Sequence, residues 1–137
     1  MNPKQVLQPA GWTAPRGYAN GVATSGRLVF VAGQIGWNER CEFDSDDFIA
    51  QVRQALLNVR AVLAEGGAAP EHIVRMTWYL VDKREYIARG REVGQAYREV
   101  LGRDYAIAMS AVQVSALMED RAKVEIEVTA VVPFDDR

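Results

Sequence analysis

The chain holds one histidine, His72, and one cysteine, Cys41. These two scarcities remove most familiar catalytic machinery. A Ser-His-Asp or Cys-His arrangement could be built only around His72, which follows Pro70-Glu71 in an expected loop and reads as a surface histidine. One His and one Cys cannot supply a zinc site of the usual spacing, so no metal is expected. Cys41 has no partner for an intrachain disulfide, which suits a cytoplasmic setting. It lies in the polar stretch Asn38-Glu39-Arg40-Cys41-Glu42, flanked by both signs of charge, and so lacks the electropositive surroundings that activate a thiol. Charge of one sign is also missing: 16 Lys plus Arg against 18 Asp plus Glu leave a net −2, which gives no broad footprint for nucleic acid. No run approaches the roughly 18 apolar residues of a membrane span, and the opening MNPKQVLQPAGW has no long apolar core of a secretory signal. No phosphate loop or dinucleotide fingerprint follows a strand, since Gly33-Gln34-Ile35-Gly36 is too short.

What the chain does have is apolar content. Hydrophobic residues make up 49% of its 137, enough for a core without metals or disulfides, and the length suits one domain covering residues 1–137. Pro3, Pro9, Gly11, Pro15 and Gly17 punctuate a loop-rich entry. Gly21 to Ser25, a Gly26-Arg27 connection and the run Leu28-Val29-Phe30-Val31-Ala32 predict a hairpin, whose continuous second strand reads as buried on both faces. Asp44 or Ser45 is the expected cap of a helix with Asp46 and Asp47 in its first turn. In that helix Val52, Ala55, Leu56, Val59, Val62 and Leu63 recur on one side, and Gly66-Gly67 stops it.

From Ile73 the period changes to two, with Val74, Met76, Trp78 and Leu80 on one face and Arg75, Thr77 and Tyr79 on the other. Asp82 and Glu85 stand in capping-box spacing before a second helix. Tyr86, Gly90, Val93, Gly94, Tyr97 and Leu101 line its buried side, and its two glycines should let it lie close to a sheet. Two strands close the chain, about 108–115 and 122–132. In the last, Val124, Ile126, Val128 and Ala130 oppose Glu125, Glu127 and Thr129.

The order is β-β-α-β-α-β-β, an α+β fold with one sheet and two helices on one face. The other face keeps large apolar side chains beside charged ones, and such a face is normally covered by a partner subunit. Glu125 and Glu127 point to it together. Left open, it is a solvated strand face. Covered, one carboxylate loses its water, its pKa rises, and it can serve as a general acid or base.

The stretches Gly17-Tyr18-Ala19-Asn20-Gly21-Val22 with Leu28 to Ile35, Gln54 to Leu63, and Val124 to Ala130 resemble, in order and with compatible gaps, the Rid family of reactive-intermediate deaminases, also called YjgF-like proteins. The resemblance implies a chorismate-mutase-like fold and a homotrimer, with a small-molecule substrate or ligand in each cleft between subunits. It implies hydrolysis of reactive imines and enamines to ammonia and a carbonyl product without a cofactor, in the cytoplasm, with neither nucleic acid nor membrane as a partner. Glu125 matches the family's water-handling glutamate, Tyr18 its pocket-closing tyrosine and Gly33 its pocket-lining glycine. Ala32, Met109, Ala111 and Arg91 complete the expected substrate-binding set.

Met109 is the departure. It stands where the family places an arginine that grips the substrate carboxylate, and a thioether offers only a weak acceptor. Arg89 and Arg91, near the position of the family's pocket asparagine, are the candidates to compensate. Two readings follow: a deaminase of altered specificity, or a trimer that binds an apolar metabolite without turning it over. A ribonuclease or translation-inhibitor role, attached to some relatives, finds no support in the acidic balance or in the absence of a histidine pair.

Overall fold

The computed structural model describes residues 4–134. Its elements are β1 (Gln5–Leu7), β2 (Gly21–Ala23), β3 (Arg27–Ile35), α1 (Phe48–Glu65), β4 (Ile73–Leu80), α2 (Lys83–Ala88), α3 (Gly90–Leu101), β5 (Ala108–Gln113) and β6 (Val124–Val132), with a 3-10 turn at Pro70–His72. Four strands form a mixed sheet in the order β3-β6-β4-β5. The β3-β6 and β4-β6 pairs are antiparallel, and β4-β5 is parallel. A parallel pair needs a long crossover, and α2 and α3 provide it. α1 packs on β3 and β6 and against α3.

The core is the apolar stripe of α1 pressed on the inward residues of β4 and β6. Val52, Ala55, Leu56, Val59 and Leu63 meet Met76, Trp78, Leu80, Val124, Ile126 and Val128. Each fully buried large side chain contributes roughly 1.5–3 kcal/mol. Gln51 is the polar member of this interior. It donates from Nε2 to Ser45 O (3.1 Å) and Arg121 O (3.0 Å), and accepts from Lys123 N–H (2.8 Å), joining the start of α1 to the approach of β6. Both ends of its amide are matched, so its burial costs little.

The expected α+β architecture holds, with local corrections. β2 pairs with β1 rather than with β3, so the expected hairpin is two separate pairings. Gly26 redirects the chain between them at φ +153°, where any Cβ would also meet the Val132 carbonyl. β3 is not buried on both faces within the subunit: Leu28 and Phe30 are 57% and 71% exposed. α1 starts at Phe48, capped by Asp47, whose carboxylate accepts from Ala50 N–H at 3.0 Å. The acidic residues therefore precede the helix instead of filling its first turn, and Val62 of the predicted stripe is exposed. A bulge at Val74 puts Ile73, rather than Val74, into the core beside Met76. The second helix is broken at Arg89, just before Gly90, a poor helix former.

Candidate functional site

Tyr18 owes its position to a single anchor. The long loop between β1 and β2 touches the sheet at Ala19, whose N–H donates to Ile107 O at 2.8 Å, and Ala19 forms a parallel bridge with Ala108. Ala19 is buried while its neighbour Tyr18 is 41% exposed. The anchor thus lays Tyr18 beside the start of β5, where Met109 follows Ala108. Tyr18 and Met109 line one pocket of about 260 Å³, together with Trp78, Tyr86, Gly90 and Gly94.

The glycines of α3 open this pocket. The sequence suggested that Gly90 and Gly94 would bring the helix close to the sheet, but a Cβ built on Gly90 would meet nothing within 4 Å, and one on Gly94 would meet only Arg98, with Nη1 at 3.1 Å. Space, rather than close packing, is what the missing side chains provide. Tyr97 and Tyr105 stack in the same lining, ring centroids 5.4 Å apart. Burial pushes the hydroxyl pKa values of Tyr86 and Tyr97 upward, so both stay neutral.

A second group of residues lies on the other side of the sheet. In register, Met109 sits beside Met76, whose side chain is in the core, and Ala111 beside Trp78. Glu125 sits beside Tyr79, on the face that the helices leave open. There β3 carries a bulge between Val31 and Gln34, which brings Gly33 under Glu125. A Cβ on Gly33 would stand 2.6 Å from Glu125 Cδ and closer still to Oε2. Only glycine leaves room for that carboxylate. Nearby, Tyr79 Oη donates to Glu127 Oε1 at 2.6 Å, and this bond to a carboxylate holds the tyrosine pKa above its usual value. Ala32 and Phe30 line a separate pocket of about 420 Å³ with Arg75, Thr77 and Glu127.

The predicted residues thus fall into two sets, Tyr18 with Met109 and Gly33 with Glu125. The lining of the first pocket includes neither Gly33 nor Glu125. Ala111 is exposed on β5. Arg91 is exposed at the start of α3 and is not part of the Tyr18–Met109 pocket. Arg89 is committed elsewhere, bonded to Asp47 (3.0 Å) and Glu92 (2.8 Å). Sequence reasoning missed Trp78 and Tyr86 as pocket residues, since their apolar spacing reads as core, and passed over Tyr105, which lies in the loop before β5. His72 accepts from Ala69 N–H through Nδ1 at 2.9 Å and so caps its own turn. Among the described residues no three His, Cys, Asp or Glu side chains gather as a metal site requires, and no helix is long and apolar enough to cross a membrane.

Comparison with known proteins gives a consistent set of similarities. Residues 11–132 match the family described as Endoribonuclease L-PSP. A RutC family protein of Synechocystis is 32% identical over 131 residues, covering 94% of this chain and 97% of that protein. A 2-iminobutanoate/2-iminopropanoate deaminase of Salmonella typhimurium is 32% identical over 116 residues, covering 83% and 86%. The crystal structure of the Rid-family protein YyfB of Yersinia pestis superposes with a TM-score of 0.81 at 32% identity, covering 94% and 98%.

Proposed function

Because the chain belongs to the Endoribonuclease L-PSP family, which takes in the RutC and Rid proteins, we propose that it is a hydrolytic deaminase of a reactive imine or enamine, working as a homotrimer in the cytoplasm. The observation that carries this reading is the Glu125 carboxylate lying against the backbone of Gly33 on the open sheet face, which supports a water-handling role for it. The deaminase name of the Salmonella relative supports it.

The two sets of residues lie on opposite faces of one sheet, so a complete site needs the open face of one subunit against the pocket of another. The exposed Leu28 and Phe30 on that face are the apolar surface such an assembly would bury. In the assembled cleft Tyr18, Met109 and Ala111 come from one side, and Ala32, Gly33 and Glu125 from the other, with Arg91 outside it at the start of α3. An enamine first tautomerises to the imine. Water then adds to the imine carbon while Glu125 takes one of its protons, giving a carbinolamine. This addition acts on the protonated imine. The proton on Glu125 then passes to nitrogen, the C–N bond breaks, and ammonia leaves as the hydroxyl proton returns to the Glu125 carboxylate and the carbonyl forms. A backbone amide near Gly33 orients the substrate. Neither a cofactor nor a metal enters this balance.

The test is ammonia release from imines generated in place by an amino-acid oxidase. Glu125→Ala is expected to lower the rate about 10²–10⁴-fold, the usual worth of a general acid–base group. Equal rates in both proteins would reject the mechanism. Met109 favours a second reading, a trimer that holds an apolar ligand unaltered. Gain of activity in Met109→Arg would show intact machinery lacking its carboxylate grip; no gain, together with tight ligand binding, would favour the binder.

A further inference from the structure

Met109 leaves the pocket without a cation on β5, and an arginine from another element lies against the same cavity. Arg98 is half-buried in α3, one turn beyond Gly94, and lines the pocket with Tyr18 and Met109. Its guanidinium lies over Gly94, 3.1 Å from where a Cβ would stand. The neighbouring acids are engaged elsewhere. Glu99 bonds to Arg53 at 2.6 Å, Glu92 and Asp47 hold Arg89, and Asp104 pairs with Lys4 at 3.0 Å. Among the described residues the Arg98 side chain makes no hydrogen bond or ion pair. Arg98 contributes to the field that lowers the Glu99 pKa. Yet a half-buried guanidinium beside a cavity, with no carboxylate in direct contact, is a site for a carboxylate from outside, because its planar fork matches that group through two parallel bonds.

A second observation points the same way. Trp78, 1% exposed, lines this pocket, and its indole Nε1 is the buried side-chain polar atom that has no hydrogen-bond partner among the described residues. A buried donor left unmet is costly, and this one belongs to a side chain of the pocket wall. Arg16 also lines the pocket but is exposed, so Arg98 is its half-buried cation. The rings of the lining are close together, Tyr86 meeting the Trp78 ring edge-on at 5.9 Å and Tyr97 stacking on Tyr105.

We propose that Arg98, rather than residue 109, binds the substrate carboxylate, and that the pocket selects 2-imino or 2-keto acids with an aromatic side group. The proposal rests on the imine-hydrolysis reading and names its substrate class. Gly94 gives the guanidinium its room, since a Cβ there would stand 3.1 Å from Arg98 Nη1 and make it give by a few tenths of an ångström. The uncharged thioether at position 109 leaves the floor to the ring, and the cation enters from the helix instead.

Benzoylformate, an aromatic 2-keto acid that cannot enolise, and its uncharged methyl ester are the probes, with binding to the full chain measured by calorimetry. Wild type is expected to bind the acid more tightly than the ester. Arg98→Met should weaken the acid at least tenfold and leave the ester unchanged, Arg98→Lys should keep part of the difference, and the indole N–H resonance of Trp78 should move on binding. Unchanged acid affinity in Arg98→Met, equal losses for acid and ester, or no binding by the wild type would overturn the proposal. Ammonia release is assayed separately. An active enzyme whose acid binding ignores Arg98 removes this assignment and leaves imine hydrolysis standing. An inactive enzyme whose acid binding depends on Arg98 does the reverse.

Discussion

Single atoms decide much of the candidate site. Gly33 is not forced into an unusual backbone conformation; what matters is the absence of its side chain, because the Glu125 carboxylate occupies the volume a methyl group would fill. In Gly33→Ala the flexible glutamate can swing aside, so stability should change by less than about 1 kcal/mol. A displacement on the order of 1 Å costs a catalytic group roughly a hundredfold in rate. Thermal melting and imine hydrolysis measured together check this, and full activity in the Gly33→Ala variant would show that the contact is incidental. Of the candidate residues, strand alternation alone singled out Glu125, with Glu127; Tyr18, Gly33 and Met109 came forward only through the family resemblance. Arg98 came forward by neither route. Its position on a helix face is indistinguishable from that of an ordinary solvated arginine until Gly94 and the engaged acids around it are seen in space.

Among the elements, the junction of α1 with the second helical segment shows how local charge substitutes for core. Asp47 caps α1 and also accepts from Arg89, where the second helix breaks. The hydrogen bond from Arg89 is the main cause that holds the Asp47 carboxyl below its usual pKa, and the same guanidinium does so for Glu92. A carboxylate whose pKa is depressed by folding adds stability that is fully present above its unfolded value, about 4, and lost as pH falls through the lower folded one. Arg89→Met should therefore lower stability near neutrality and raise the midpoint of acid unfolding, while the two proteins converge once pH falls below the lowered folded-state pKa values. Acid titration followed by circular dichroism gives the comparison, and an unchanged midpoint would contradict it. The sequence placed this cap two or three residues early. Asp44, Ser45, Asp46 and Asp47 stand in a row, all of them residue types that cap helices, and what distinguishes the last in space is the Ala50 N–H it accepts, together with its bond from Arg89. The strand alternation of β4 and β6 was readable in full except where the bulge at Val74 shifts the phase.

For the whole molecule, the sheet face opposite the helices is the surface on which assembly turns. Phe30 is 71% exposed there beside Arg75, Thr77 and Glu127. If three copies cover it, Phe30→Glu places an unpaired charge in the contact, at a cost of several kcal/mol. Sedimentation should then report the mass of one 15.2 kDa chain for the variant and of three for the wild type. A wild type that sediments as a single chain would remove the two-sided site. The layer arrangement could be read from the sequence because two helices cannot cover both faces of such a sheet. The separate pairing of β2 with β1 could not, since it depends on where Gly26 sends the chain.

The seclusion of Trp78 has an optical consequence. Of the three tryptophans, Trp12 is 63% exposed and Trp37 is partly so, while Trp78 is shut away from solvent at the pocket wall. With Trp12 and Trp37 replaced by phenylalanine, emission from the remaining indole comes from an apolar setting, blue and resistant to aqueous quenchers. Any molecule entering beside it changes that colour directly, so the chain carries its own dye for screening compounds whose identity is not known in advance.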